Sequence, residues 1–172
     1  IGASSMRGDP ARGALVGLAE RWHSRAPLYL TTNVIQLRAS LDSDILNAIR
    51  HIGRLADMVF TTYGDNAFLG LRPRGTQRLV YTRGSRGAAL IGETGEITSV
   101  AGHEVEAVDP SGAADVFVAA FIRALRCGFA EQQALAFANA TAALSTTREG
   151  VRGIPVWQDA ARLAGLPERP LN

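Results

Sequence analysis

The stretch "VDPSGAADVF", residues 108–117, decides how the rest of the chain reads. A strand-like run at 104–108 reaches an Asp-Pro-Ser turn. A glycine and two alanines follow, and a carboxylate then enters an otherwise apolar helix that continues "VFVAAFIRAL". A glycine-small-small turn at a helix entry leaves several backbone N–H groups without intrahelical acceptors. Those donors converge at the positive end of the helix dipole, an arrangement suited to an anion and to phosphate in particular. Asp115 lies in the same turn. A carboxylate beside a phosphate site is unfavourable unless it has work there, such as accepting the proton of a hydroxyl that attacks phosphorus. It can also simply complement the helix dipole, as first-turn acids commonly do, and the local pattern alone favours that role.

Around this stretch the chain alternates strand and helix patterns. Helical spacing at Leu15, Leu18, Ala19 and Trp22 predicts a helix over residues 11–25, stopped by Pro27. "PLYLTTN" (27–33) reads as a buried strand. Asp42 or Ser43 can cap a helix that carries Ile45, Leu46, Ile49, Ile52 and Leu55 on one face. "DMVFTT" (57–62) and "QRLVYTRG" (77–84) read as further strands, with a short helix, "DNAFLGL" (65–71), between them. "GAALIGETGEITSVAG" looks like a hairpin turning at 93–95, and residues 104–108 like another strand. Long helices are expected at 112–126 and 131–147, and a last short one at 157–163. This alternation argues for a mostly parallel sheet with helices on both faces.

Bulk properties narrow the function classes. At 172 residues the chain is one domain by length, residues 1–172, and long enough for a sizeable core. Hydrophobic content of 47% and charged content of 20% fit a soluble globular protein. A net charge of +2 is too small to imply a nucleic-acid partner by itself. All 18 basic residues are arginine, which excludes a P-loop lysine and a Schiff-base lysine within this chain. The single cysteine, Cys127, sits in an apolar run and reads as a small buried hydrophobe, so a reducing cytoplasm is the expected location. No uninterrupted apolar run reaches about 18 residues, so no membrane association is expected.

The C-terminal part resembles a known family. "DPSGAADVFVAAFIRAL" followed by "GFAEQQALAFANATAALSTTREGVRGIP" is similar to the C-terminal half of the ribokinase-like (PfkB) carbohydrate kinases. Their signature there reads Asp-Thr-Thr-Gly-Ala-Gly-Asp, followed by an apolar helix and an Ala-Asn-rich helix ending near Thr-Arg-x-Gly. "LVYTRGSRGAAL" resembles the family's Thr-x-Gly-x-x-Gly nucleotide loop, and "ADMVFTTYGDNAFLGL" the strand and loop that usually read Asn-x-x-Glu. "LYLTTNVIQLR" takes the place of an Asp-x-Asn-x-Arg strand end. The implied fold is a three-layer α/β/α Rossmann-like ribokinase fold with a mostly parallel sheet. The implied activity is ATP-dependent phosphorylation of a sugar hydroxyl, with ATP and Mg2+ as cofactors.

Residue by residue, the resemblance makes Asp115 the base and Gly112, Ala113 and Ala114 the anion hole. It sets Thr82, Gly84 and Gly87 against the nucleotide, with Asn139 on the helix flanking the adenine pocket. Asp109 and Ser111, with carbonyls near Thr146 and Gly150, match a monovalent-cation loop that takes K+. Several positions depart from the pattern. Ala114 stands for a glycine, harmless if that position is helical and costly if it needs a positive φ. Thr62 and Asp65 replace the Asn and Glu of a loop that organises magnesium through water. Thr31 replaces an Asp, and Ile35 an Arg. These changes cluster where the family handles metal and phosphate, so a degenerate relative that binds nucleotide or partner subunits without turnover is the alternative function.

The family's N-terminal strands, most substrate contacts and a β-stranded lid have no counterpart here, so the chain is expected to be a portion of a longer one. A sheet truncated in this way exposes an edge and apolar surface, and a homodimer is expected. The sugar cannot be named from these residues; 2-keto-3-deoxygluconate, fructose and ribose types all fit. His23, His51 and His103 lack metal-ligand spacing and read as surface or packing residues. Arg72, Arg74, Arg78, Arg83 and Arg86 read as a solvated face with one arginine near nucleotide phosphates, not as a nucleic-acid patch. "TREG" also reads as a helix stop at Gly150.

Overall fold

The computed structural model describes residues 1–34 and 42–168; Ile35 lies outside the described residues. Among the described residues there are five strands, β1 (Tyr29–Thr31), β2 (Met58–Thr61), β3 (Arg78–Thr82), β4 (Ala88–Ile91) and β5 (Ile97–Val100), in the spatial order β1-β2-β3-β4-β5. The helices are α1 (Ala11–Trp22), α2 (Ser43–Leu55), α3 (Tyr63–Leu69), α4 (Ala113–Arg126), α5 (Glu131–Ser145) and α6 (Trp157–Leu163). β1, β2 and β3 run parallel, Leu30 opposite Val59 and Val59 opposite Leu79. Residues 83–87 are too short for a parallel crossover, so β4 returns antiparallel. Gly92 N–H to Glu96 O then closes the hairpin into β5. The chain divides into two compact units. One comprises Ile1–Tyr81 with Leu90–Ile97, the other Thr82–Ala89 with the residues from Thr98 onward.

The first unit is a parallel sheet covered by helices. Every residue of β2 is buried, as strands covered on both faces require. Leu30, Val59 and Leu79 from the strands join Ile45, Ile49 and Ile52 of α2 and Ala19 of α1 in one core. α2 forms where expected because the Asp42 carboxylate accepts the Ile45 N–H at 2.7 Å, an N-cap ahead of the apolar stripe. At its other end, buried Gln77 donates to the carbonyls of Gly53 and Ala56. α3 begins two residues earlier than the sequence pattern gave, because Thr62 is its N-cap and accepts the Asp65 N–H at 3.0 Å.

The second unit is built on α4 and α5, joined by a turn at Gly128 (φ 85°). There Phe129 N–H bonds to Ala124 O and Gly128 N–H to Leu125 O, a Schellman stop. Cys127 is fully buried at this corner, as a small hydrophobe would be. Phe117, Phe121 and Ala124 of α4 and Leu135 and Ala138 of α5 are all buried, and Trp157 of α6 packs tilted against Phe137, ring centroids 4.2 Å apart. One expected element is absent: residues 104–108 form no strand. The segment before α4 takes its hydrogen bonds from a helix end instead, Val108 and Asp109 both donating to Thr146 O. Alternation of side chains predicts an extended backbone but does not name the partner that would make it a ladder.

Candidate active site

The second unit contains a cleft of about 800 Å3. Its floor is one stripe of α5 and the residue just beyond it: Asn139, Ala142, Ala143 and Thr146, spaced i, i+3, i+4, i+7. The two alanines keep the floor low between polar residues at either end. Thr82, Gly84 and Gly87 line one wall, and Ala113 and Ala114 at the start of α4 line another. Seven residues that the sequence assigned to nucleotide loop, anion hole, adenine flank and cation loop therefore meet in one cavity.

The end where the resemblance puts the anion hole rests on the turn into α4. Gly112 has φ 75° and ψ −2°, a left-handed conformation that an L side chain enters only at a cost. This reversal lets the Ala113 N–H reach Pro110 O and the Val116 N–H reach Gly112 O. The Ala114 and Asp115 N–H groups then have no backbone acceptor among the described residues. Ala114 lies inside α4 and has no positive φ, so its methyl stands in ordinary helical backbone. The glycine this turn requires is Gly112. Asp115 sits on the same helical turn with its carboxylate exposed, outside the cleft lining itself.

Two loops are stitched together beneath this end. The Asp109 carboxylate accepts the Gly150 N–H at 3.0 Å and the Ser111 N–H at 2.9 Å. These bonds, that from Gly150 foremost, hold its pKa below the usual carboxylate value. Thr146 O accepts both Val108 and Asp109 N–H, at 2.7 and 2.9 Å, so both of its lone pairs are engaged. Asp109, Ser111, Thr146 and Gly150 are thus brought together, held by amides.

The opposite end is fixed by backbone contact. A Cβ on Gly87 would lie 2.1 Å from Val100 O, and one on Gly102 would lie 1.8 Å from Ser85 O. Only glycines let the 84–87 loop touch residues 100–102 so closely. Arg83 Nη2 donates to Ala88 O at 3.2 Å and to Val100 O at 3.3 Å. Of the five grouped arginines, Arg83 is therefore a brace between backbone segments. Asn139 Nδ2 donates to Ala101 O at 2.7 Å.

Asp65 belongs to the first unit, where it is buried and its Oδ2 accepts the Thr32 hydroxyl at 3.2 Å. Thr62 is engaged in capping α3. His103 was read from the sequence as a scattered histidine, yet it lines the cleft together with Val105 and Ala107. Glu104 lines the cleft as well, so the alternation of the "HEVEAV" run did not mark which of its side chains face it. Burial lowers the pKa of His103, which favours the neutral imidazole.

Comparison with known proteins bears on the fold and the family. A protein assigned as ribokinase II from E. coli, with ATP and Mg2+ bound, superposes with a TM-score of 0.78 at 23% identity, over 96% of this chain and 57% of that one. Aminoimidazole riboside kinase from Salmonella enterica, complexed with aminoimidazole riboside and an ATP analogue, gives 0.76 at 21% identity, over 95% and 61%. The fold is accordingly that of the ribokinases, the α/β class expected from the sequence. The family pattern described as pfkB family carbohydrate kinase matches residues 37–158, and the chain belongs to that family. An ATP-dependent ribose-1-phosphate kinase of Halopiger xanaduensis is 42% identical over 86 residues, which are 50% of this chain and 28% of that protein. The chain spans 57% and 61% of the two solved relatives.

Proposed function

We propose that this chain is the nucleotide-binding portion of an ATP-dependent sugar kinase, and that its cleft holds ATP with the transferring phosphate at the start of α4. The observation that carries this reading is the convergence, in one cavity, of the 82–87 loop and the Gly112 turn. Phosphoryl transfer asks little covalent chemistry of a protein; it needs positioning and donors aimed at the charge that develops. The free amides of Ala114 and Asp115, at the positive end of α4, supply such donors. Asp115 accepts the proton of the attacking sugar hydroxyl; its exposure leaves it free to meet a substrate. Ala107, Ala142 and Ala143 offer an apolar bed to the nucleoside. Mg2+ would arrive with the triphosphate, as this ion commonly does, and would neutralise phosphate charge there.

Because Ala114 is helical, the alanine that pointed towards a degenerate relative gives no reason to expect loss of activity. In the full-length protein, ATP should raise Tm by binding the folded state, with a matching calorimetric heat. Asp115→Asn should lower kcat by about a hundredfold or more while ATP affinity stays nearly intact. A full-length protein that shows neither heat nor shift at millimolar ATP refutes the nucleotide site. Equal turnover in the Asn variant returns Asp115 to the role of dipole complement.

A further inference from the structure

The cleft has two distinguishable ends, and α5 measures the distance between them. Ala101 is tied to Asn139, whereas Val108 and Asp109 are tied to Thr146. Asn139 and Thr146 stand seven residue steps apart along α5 and its cap, about 10 Å along the axis. The anion turn, with Pro110, Ala113 and Ala114, stands at the Thr146 end. His103 stands at the Asn139 end, next to the glycine contact between Gly102 and Ser85. A nucleoside triphosphate with its outer phosphate at α4 reaches back over this span with its sugar and base, towards His103.

Residues 100–102 are held from both sides. Arg83 takes the Val100 carbonyl from the loop, Asn139 takes the Ala101 carbonyl from the helix, and the Gly87 and Gly102 backbones are in close approach. Arg83 Nη2 is shared between the Ala88 and Val100 carbonyls, while its Nε is buried with no hydrogen-bond partner among the described residues. A wall anchored at consecutive carbonyls leaves the next side chains little freedom to move. Among those lining this end, His103 alone carries a ring with one donor and one acceptor, a pattern that can distinguish the edges of purine bases.

Resting on the nucleotide reading above, we propose that His103 is a base-selectivity residue of the cleft, and that Arg83 and Asn139 are positioning residues that aim it by clamping Val100 and Ala101. The reason is economical: a neutral imidazole at the base end either complements the base edge or leaves a ring nitrogen facing the wrong group.

The test measures ATP and GTP binding by calorimetry, with KM and kcat, for the full-length protein and for His103→Ala, His103→Gln, Asn139→Ala and the His103→Ala/Asn139→Ala double variant. Loss of one hydrogen bond to the base should weaken ATP binding about five- to tenfold and bring the ATP:GTP ratio towards one. The effect should fall mainly on KM, with kcat reduced far less. Asn139→Ala should show the same loss of selectivity, and faster hydrogen exchange at the amides of residues 102–104. If Asn139 acts through His103, the double variant should be no less selective than His103→Ala alone. An ATP:GTP ratio unchanged in both His103 variants, in a protein that binds ATP, overturns the assignment of His103 and leaves the nucleotide reading standing. Additive effects in the double variant, or unaltered exchange in Asn139→Ala, overturn the clamp. A wild-type protein that binds neither nucleotide overturns both readings at once.

Discussion

Replacing Gly112 by alanine isolates the turn on which the proposed phosphate site rests. Nothing lies within 4 Å of a Cβ built there, so no clash contributes and the whole effect is conformational. At φ 75° an L residue costs about 1–2 kcal/mol relative to a right-handed alternative. Each kcal/mol moves Tm by about 2–4 °C in a chain of about 150–250 residues and by less in a longer one, so a drop of up to about 8 °C is expected in the full-length protein if the turn holds its shape. If the turn relaxes instead, Tm falls less but the Ala114 and Asp115 amides swing away from their common target. Removing one such donor from a transition state costs about 100- to 1,000-fold in kcat. Calorimetry for stability and steady-state turnover of the full-length protein separate the two outcomes, and Gly112→Asn should recover part of either loss because asparagine tolerates this conformation. An alanine variant with wild-type Tm and wild-type kcat would falsify the claim that this backbone conformation builds the site.

The neighbouring exchange should behave oppositely. Ala114→Gly should leave kcat unchanged, since the position is already helical, and lower stability by at most about 1 kcal/mol; increased turnover would show that the methyl obstructs the phosphoryl group. Gly87→Ala should destabilise by more than the about 1–3 kcal/mol of its positive-φ backbone (φ 92°, ψ −146°), a region close to glycine-only, because its Cβ meets the Val100 carbonyl at 2.1 Å. A melting temperature within 1–2 °C of wild type, roughly the assay's resolution on the usual scale, would refute that contact. Asp109 has a folded-state pKa below its unfolded value, so its stabilising contribution is complete above about pH 4 and is lost as pH falls through the folded value. The Tm gap between wild type and Asp109→Asn should therefore be full at pH 7 and shrink only in acid; a gap that persists unchanged at pH 2.5, below about any ordinary carboxylate pKa, contradicts the bonds to Gly150 and Ser111.

What the sequence determined by itself was local and periodic. The apolar spacing of Ile45, Ile49 and Ile52, the cap at Asp42 and the glycine stop at Gly128 are properties of a few consecutive residues, and the elements formed there accordingly. Thr82, Gly84, Gly87 and Gly112 to Ala114 were singled out by their resemblance to a family pattern, and their site roles stand as proposals; what the local sequence carried was that glycine occurs where backbone must come close or turn left-handed. Tertiary structure decided matters that depend on partners far along the chain. Residues 104–108 had a strand's alternation, yet their neighbour proved to be the end of α5 at Thr146, 38 residues beyond Val108, and no ladder formed. Arg83 looked like a surface cation and became a brace because Val100 and Ala88 bring their carbonyls to it. Asn139 was assigned to the adenine flank without any sign that it holds Ala101. Whether Ala114 harmed the site could not be read from its identity, since a methyl is costly at positive φ and neutral in a helix, and only the path of the backbone distinguishes the two.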